Sequence, residues 1–230
     1  MATYIPDSGF TAGSGAPNRD DAPDWYVWHF THRDNLASIV AAGGLLAPSA
    51  VTPTKNVADR QVKARRDLVA VSPDANYPPG KYVRDHVPWY IAAKSPMLFA
   101  VCRGHRDYSG GADPLIFLGM GLRDLIASGR IWCASNMNAA SFDVEFSRDV
   151  RGLGSFVDFD LLCAKMWNRT GDDPQRPTRR AAEVLVLDFV PLELVGAVVA
   201  RTVPALNAAR SALRNVGGAR DYWHLPQFYY

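Results

Sequence analysis

Trp25-Tyr26-Val27-Trp28-His29-Phe30 is the stretch that decides the fold. Aromatic and β-branched residues fill nearly every place in it, so neither face is left to water, and the pattern predicts a central strand covered on both sides. The neighbouring segments can be arranged around that strand. Asp34 stands ready to cap a helix whose apolar residues Leu36, Ile39 and Val40 fall three and four apart, and Gly43-Gly44 supplies its stop. A short strand or turn follows at residues 45–47.

Further strands are expected at residues 87–92, 115–118, 131–134, 184–190 and 194–199, the 184–190 run being apolar but for Asp188. Ser95-Pro96 opens a helix over residues 97–103, a short helix covers 122–128, and Pro204 opens a last one with Leu206, Ala209 and Leu213 on one side, closed by Gly217-Gly218. Phe159, Leu162, Cys163, Met166 and Trp167 have helical spacing and predict one continuous buried face. Residues 55–67 are polar with a weak helical pattern. With residues 72–80, which include Pro78-Pro79-Gly80, they read as a mobile rim outside the core. The sum is a mixed α+β domain without repeats.

A chain of 230 residues with 48% hydrophobic content can bury one full core, which gives one domain over residues 25–230. Residues 8–24 are rich in Gly, Ala, Pro, Ser and Asp and cannot repay the entropy of ordering unless they dock, so residues 1–24 read as an N-terminal tail or strap. No apolar run approaches the ~20 residues of a membrane span. No secretory leader opens the chain, and a cytoplasmic location is expected. Cys102, Cys133 and Cys163 are far apart and odd in number, and no histidine stands at metal-ligand spacing, so neither disulfides nor a metal is expected. A net charge of +2 does not declare a nucleic-acid binder, and the basic clusters at residues 63–66 and 176–180 read equally well as solvated helix faces.

Two residues invite chemistry. Glu183 opens a hydrophobic strand directly after an arginine-rich loop. It reads either as a solvated carboxylate paired with Arg179 or Arg180, or as a site carboxylate held on a rigid strand beneath a flexible loop. In both readings it is half-exposed, and Glu183→Ala is expected to spare the fold. His29 sits mid-strand, either bonded to a backbone carbonyl in the core or turned to a ligand. His32 and His86 stand at loop edges. P-loop, GxGxxG, HExxH and GxSxG patterns are missing, which removes the phosphate-cradle, zincin and serine-hydrolase readings.

Trp28-His29-Phe30-Thr31-His32-Arg33-Asp34-Asn35-Leu36, Asp85-His86-Val87-Pro88-Trp89-Tyr90, Lys94-Ser95-Pro96-Met97-Leu98, Tyr108-Ser109-Gly110-Gly111, Ala182-Glu183-Val184-Leu185-Val186 and the terminal Tyr229-Tyr230 come in an order that resembles the DarT family of DNA ADP-ribosyltransferases, above all its thymidine-modifying branch. The likeness spans residues 25–230. It implies an ADP-ribosyltransferase fold, with split small β-sheets, flanking helices and NAD⁺ in the central cleft as co-substrate, and no metal. It implies that His29, Phe30 and Thr31 hold NAD⁺, that Ser38 and Leu46 close the same pocket, and that Met97 packs beside the nicotinamide. Glu183 matches the catalytic glutamate that orients the nicotinamide ribose and stabilises its developing positive charge. Arg66, of the pair Arg65-Arg66, matches the arginine that contacts NAD⁺ and favours ionisation of the target base, acting electrostatically rather than as a free base.

Residues 136–182 correspond to the loop that reads the acceptor, where Phe142 is a candidate for stacking and Arg148, Arg176 or Arg179 for phosphate contacts. An unstacked base in a single strand is the cheaper acceptor than one in a duplex. The family further implies a monomeric toxin that blocks DNA replication and is restrained by a DarG-like macrodomain antitoxin. Three alternatives stay open: transfer to guanosine, RNA or protein; a non-catalytic nucleic-acid-binding module; or a nuclease using His29, His32 and Arg66.

Overall fold

The computed structural model describes residues 5–57, 59–104 and 107–230, so residues 1–4 of the expected tail lie outside the described residues. In chain order the elements are β1 (Tyr26–His32), α1 (Leu36–Ala41), β2 (Gly44–Leu46), α2 (Arg60–Arg66), β3 (His86–Tyr90), α3 (Pro96–Arg103), β4 (Leu115–Gly121), α4 (Leu122–Ala127), β5 (Trp132–Ser135) and β6 (Phe146–Ser147). Then come α5 (Leu153–Phe156), α6 (Phe159–Cys163), α7 (Arg176–Arg180), β7 (Glu183–Leu187), β8 (Phe189–Pro191), β9 (Ala197–Ala200), α8 (Val203–Leu213) and β10 (Asp221–His224).

Eight strands run in the order β10-β9-β4-β1-β3-β7-β5-β6, and β2 pairs with β8 in a small second sheet. β1 is central as its composition requires: Val27 packs into one apolar cluster, Trp28 and Phe30 into another on the opposite face. It pairs along its whole length with β4, and Gly119 opposite Trp28 leaves room for the indole, since a Cβ there would lie 2.5 Å from the ring. With β3, by contrast, β1 pairs only at Trp28↔Tyr90. The large sheet is therefore two four-stranded halves joined at one register position, and beyond it the strands part. Pro88 lies where pairing has lapsed and has no N–H to offer a neighbour.

The predicted strands and helices stand near their expected places, with three departures. The 184–190 run is not one strand: Asp188, with φ 60°, is the only non-glycine in the left-handed region among the described residues. It turns the chain out of the large sheet at β7 and into the small one at β8. The helix expected through Trp167 stops at Cys163. Its end carbonyls are taken by a side chain instead of a further turn, as Arg180 Nη1 donates to Leu161, Leu162 and Ala164 at 2.7, 3.0 and 2.9 Å. Met166 is left 65% exposed, and Trp167 leaves the helical stripe to donate its indole N–H to the Tyr230 hydroxyl.

The rim is not mobile coil throughout either. Residues 60–66 form α2, and Tyr77 is buried with its neighbours Val69, Val71 and Val83 against Cys133 of β5 and Leu185 of β7; its hydroxyl is hydrogen-bonded to Nε2 of His86, which is fully buried rather than at a loop edge. The N-terminal segment, read as a tail or a strap, packs on the body from Ser8 to Thr11. Phe10 is fully buried edge-on to Trp25, the Trp28 indole donates to Thr11 Oγ1, and the carbonyl of Ser8 accepts from Arg180 Nη2. No described helix is long and apolar enough to cross a membrane.

Candidate active site

Where β1 and β3 part, a cleft opens that encloses about 1210 Å³ including its mouth. Its walls include His29, Phe30, Thr31, Ser38, Leu46, Arg66 and Met97, so the structure brings together every residue singled out for the pocket. Glu183 stands directly behind it.

β1 supplies the back wall. Pro88 cannot donate to β1, but its carbonyl accepts a hydrogen bond from Nδ1 of His29 at 2.9 Å. A carbonyl only accepts, so the proton sits on Nδ1 and Nε2 keeps a lone pair. Burial pushes the imidazole pKa down to about 4, with the Pro88 bond opposing and Arg66 adding to the fall. His29 is thus a neutral residue that both bonds a backbone carbonyl and lines the cleft, combining its two readings. Thr31 Oγ1 accepts from Asn35 Nδ2 at 3.0 Å; the same amide donates to the Lys55 carbonyl and accepts from the Lys55 N–H. Asn35 therefore ties the loop before α2 to β1. Ser38 Oγ donates back to the Asn35 carbonyl.

α2 delivers Arg66. Asp59 caps the helix by accepting from the N–H groups of Gln61 and Val62, and Arg66 in the last turn sits where the helix dipole favours a cation. Its Nη2 donates to both carboxylate oxygens of Glu183, at 2.6 and 2.8 Å. Its Nη1 is buried and has no hydrogen-bond partner among the described residues. Burial disfavours the guanidinium charge, but Glu183 and Tyr90 outweigh it and hold the arginine protonated.

Glu183 is 0% exposed, which overturns the half-exposed reading, and its carboxylate pairs with Arg66 rather than with Arg179 or Arg180. As the first residue of β7 it faces Tyr90 of β3 in register, and Tyr90 in turn faces Trp28 of β1. Its N–H donates to Ser135 Oγ at 3.1 Å, and its carboxylate also accepts from the Tyr90 hydroxyl. Burial raises the Glu183 pKa while Arg66 and Tyr90 pull against it, and burial likewise raises that of Tyr90. The carboxylate is therefore a fixed acceptor at the one point where the two half-sheets touch. Sequence reasoning missed Tyr90, Asn35 and Ser135. The Pro88-Trp89-Tyr90 string was the available signal for Tyr90, but only the register reveals its partner.

The candidate acceptor-reading residues are divided. Arg179 is held by Asp158 and Asp173, Arg176 by the carbonyls of Asn168 and Met166, and Arg148 pairs with Asp74 while lying over the Tyr77 ring. Arg179 and Arg176 brace their own segment, and Arg148 ties it to residues 74–77. Phe142 is 76% exposed. Among the described residues no cluster of histidine, cysteine or carboxylate side chains is arranged to hold a metal.

A family model described as "ssDNA thymidine ADP-ribosyltransferase, DarT" matches residues 28–230. A "DNA ADP-ribosyl transferase" of Mycobacterium tuberculosis is 53% identical over the whole of both chains, and one of Thermus aquaticus is 34% identical over 74% of this chain and 72% of its own. Among solved structures, Thermus sp. 2.9 DarT in complex with ADP-ribosylated ssDNA superposes with a TM-score of 0.80 at 23% identity, covering all of both chains, and the same protein in complex with NAD⁺ with a TM-score of 0.74. Thermosipho africanus DarTG in complex with ADP-ribose matches with a TM-score of 0.62 over 88% of this chain and half of its own. These likenesses establish the fold as that of the DarT ADP-ribosyltransferases.

Proposed function

The chain belongs to the DarT family of single-stranded-DNA thymidine ADP-ribosyltransferases, and from that premise we propose that its cleft holds NAD⁺ while Glu183 and Arg66 pass the ADP-ribose to a thymine. It is an NAD⁺-consuming transferase that modifies DNA. The observation that carries the site assignment is the buried Arg66–Glu183 pair, whose arginine keeps one donor unspent at the edge of the cleft. A buried donor without a partner costs about 1–3 kcal/mol, and an oxygen-rich ligand in the cleft recovers that cost. The residues present suit NAD⁺ in other respects: His29 offers a neutral acceptor, Thr31 a hydroxyl, and Phe30 and Met97 apolar surface for flat rings.

NAD⁺ supplies a ribosyl carbon activated by a good leaving group. Glu183, held still by Arg66, Tyr90 and Ser135, accepts from the hydroxyl of that ribose and stabilises positive charge on the sugar as it develops. Arg66 then serves twice, fixing the carboxylate and drawing negative charge at the acceptor base toward its unspent Nη1. A single strand offers its bases without the cost of unstacking a duplex, which supports it as the acceptor. Acting on DNA in the cytoplasm, such an enzyme requires restraint, and a DarG-like macrodomain antitoxin is the partner its family implies, with the toxin itself a monomer.

Incubation with NAD⁺ and single-stranded oligonucleotides, with or without thymine, tests the reading by mass spectrometry. One ADP-ribose unit is expected on thymine-containing strands only, and none with Glu183→Gln. Unmodified oligonucleotides alongside consumed NAD⁺ would move the acceptor to RNA or protein.

A further inference from the structure

A second cavity, of about 580 Å³ including its mouth, lies beside the first and shares Val62, Tyr90 and Met97 with it. Its remaining walls come from the start of α3 (Pro96 and Ala100), from Ala181 just before Glu183, from Asp59 and from Asn138. The common wall is thus formed in part by Tyr90, which donates to the Glu183 carboxylate. A group-transfer enzyme needs such an adjunct, because the acceptor atom must reach the donor carbon from a site contiguous with the donor's own.

Asn138 is the polar residue here whose orientation is fixed by its own loop. Its Oδ1 accepts from the Ala140 N–H at 2.9 Å, and its own N–H donates to the Thr178 carbonyl at 2.8 Å. The amide cannot flip without losing that bond, so its NH₂ group, which makes no hydrogen bond to any described residue, is the end left for a ligand. The loop therefore presents donors. Pro96, Met97, Ala100 and Ala181 give the same cavity apolar walls suited to a flat ring with a methyl group.

We infer that this second cavity seats the acceptor thymine and that Asn138 is its specificity-determining residue, donating to a carbonyl oxygen beside the ring nitrogen N3. The inference rests on the functional reading above. Thymine N3 is flanked by two carbonyls, both acceptors, whereas guanine N1 is flanked by one carbonyl and one amino donor, so a fixed donor suits thymine on either side. In the reaction the bond from N3 to the ribosyl carbon forms as the bond to nicotinamide breaks. Nicotinamide leaves neutral with the bonding pair, and the N3 proton passes to solvent. Charge that builds on N3 spreads onto its flanking oxygens, so the Asn138 donor strengthens its bond in the transition state.

The test compares wild type, Asn138→Asp and Ala100→Leu for NAD⁺ affinity by calorimetry and for transfer to oligonucleotides carrying one thymine or one guanine. Asn138→Asp keeps the Ala140 bond and removes the donors, while Ala100→Leu fills the cavity; circular dichroism verifies the fold of each. Unchanged NAD⁺ affinity with kcat/KM for thymine lowered tenfold or more, and a reduced thymine-to-guanine ratio in Asn138→Asp, supports the inference. Wild-type transfer and selectivity in Asn138→Asp overturn it, as does a parallel loss of NAD⁺ affinity, which would make the cavity part of the donor cleft. A wild-type chain that binds NAD⁺ but leaves every oligonucleotide unmodified overturns the functional reading itself, and the inference with it.

Discussion

Glu183 shows what a single buried charge demands. Removing one partner of a buried pair leaves the other uncompensated, at a cost of roughly 3–5 kcal/mol, whereas an amide in the same place still accepts a hydrogen bond. Glu183→Ala is therefore expected to lower the melting temperature by about 10 °C, and Glu183→Gln by clearly less, while both lose transfer; equal melting points would contradict the pair's geometry. The pH dependence carries a definite sign. Because burial raises the Glu183 pKa, the acid limb of the rate profile should lie above the ordinary glutamate range. Its contribution to stability runs the opposite way, full at low pH and lost as pH rises through that raised pKa. His29, lowered to about 4, should stay neutral in an NMR titration through pH 5, and its share of stability is lost as pH falls from 6.5 toward that value. The strings around Glu183 marked it in the sequence as a candidate site carboxylate. Its burial was not, because the partner that permits it lies 117 residues away.

Elements were legible where local pattern governs them and illegible where a distant side chain intervenes. β1, α3 and α8 follow from their own residues, including the Ser95 and Thr202 caps. α6 does not, since nothing in residues 159–167 announces that Arg180 will occupy the helix's last carbonyls. Arg180 is fully buried with no carboxylate partner among the described residues, and burial lowers its pKa to about 10; carbonyls from Ser8, Lys94, Leu161, Leu162 and Ala164 carry the charge instead. Arg180→Ala is expected to release the N-terminal segment and the end of α6 together, seen as loss of amide-exchange protection in both regions at once. Loss confined to one of them would separate the two. Gly154 makes a second anchor for the same segment: a Cβ there would sit 2.0 Å from the Arg19 carbonyl oxygen, so Gly154→Ala should loosen residues 19–24 and leave β1 intact.

At the scale of the molecule, the decisive fact is that two half-sheets meet at one register position and the cleft lies where they part. The mixed α+β class was legible from alternating strands and helices, and the family strings implied the split. The register was not, because pairing β1 with β3 and β3 with β7 joins segments about 60 and 95 residues apart, beyond any local pattern. A ligand that bridges the cleft walls should stabilise the whole. At a hundredfold excess over its Kd, NAD⁺ is expected to add about 2.7 kcal/mol, raising the melting temperature by roughly 5–10 °C. Differential scanning fluorimetry measures it, and an unchanged midpoint at saturation would argue against NAD⁺ in this cleft.

The order of the strands also sets a schedule. β7 is inserted between β3 and β5, although both were made before it. During synthesis, at about 5–20 residues per second, the chain therefore holds His29, Arg66 and Tyr90 for seconds with a vacant slot in the sheet where their carboxylate belongs. A product abandoned by the ribosome before residue 183 carries the cleft's walls, Arg66 included, but lacks Glu183, so under the proposed assignment a stalled copy is expected to be inert.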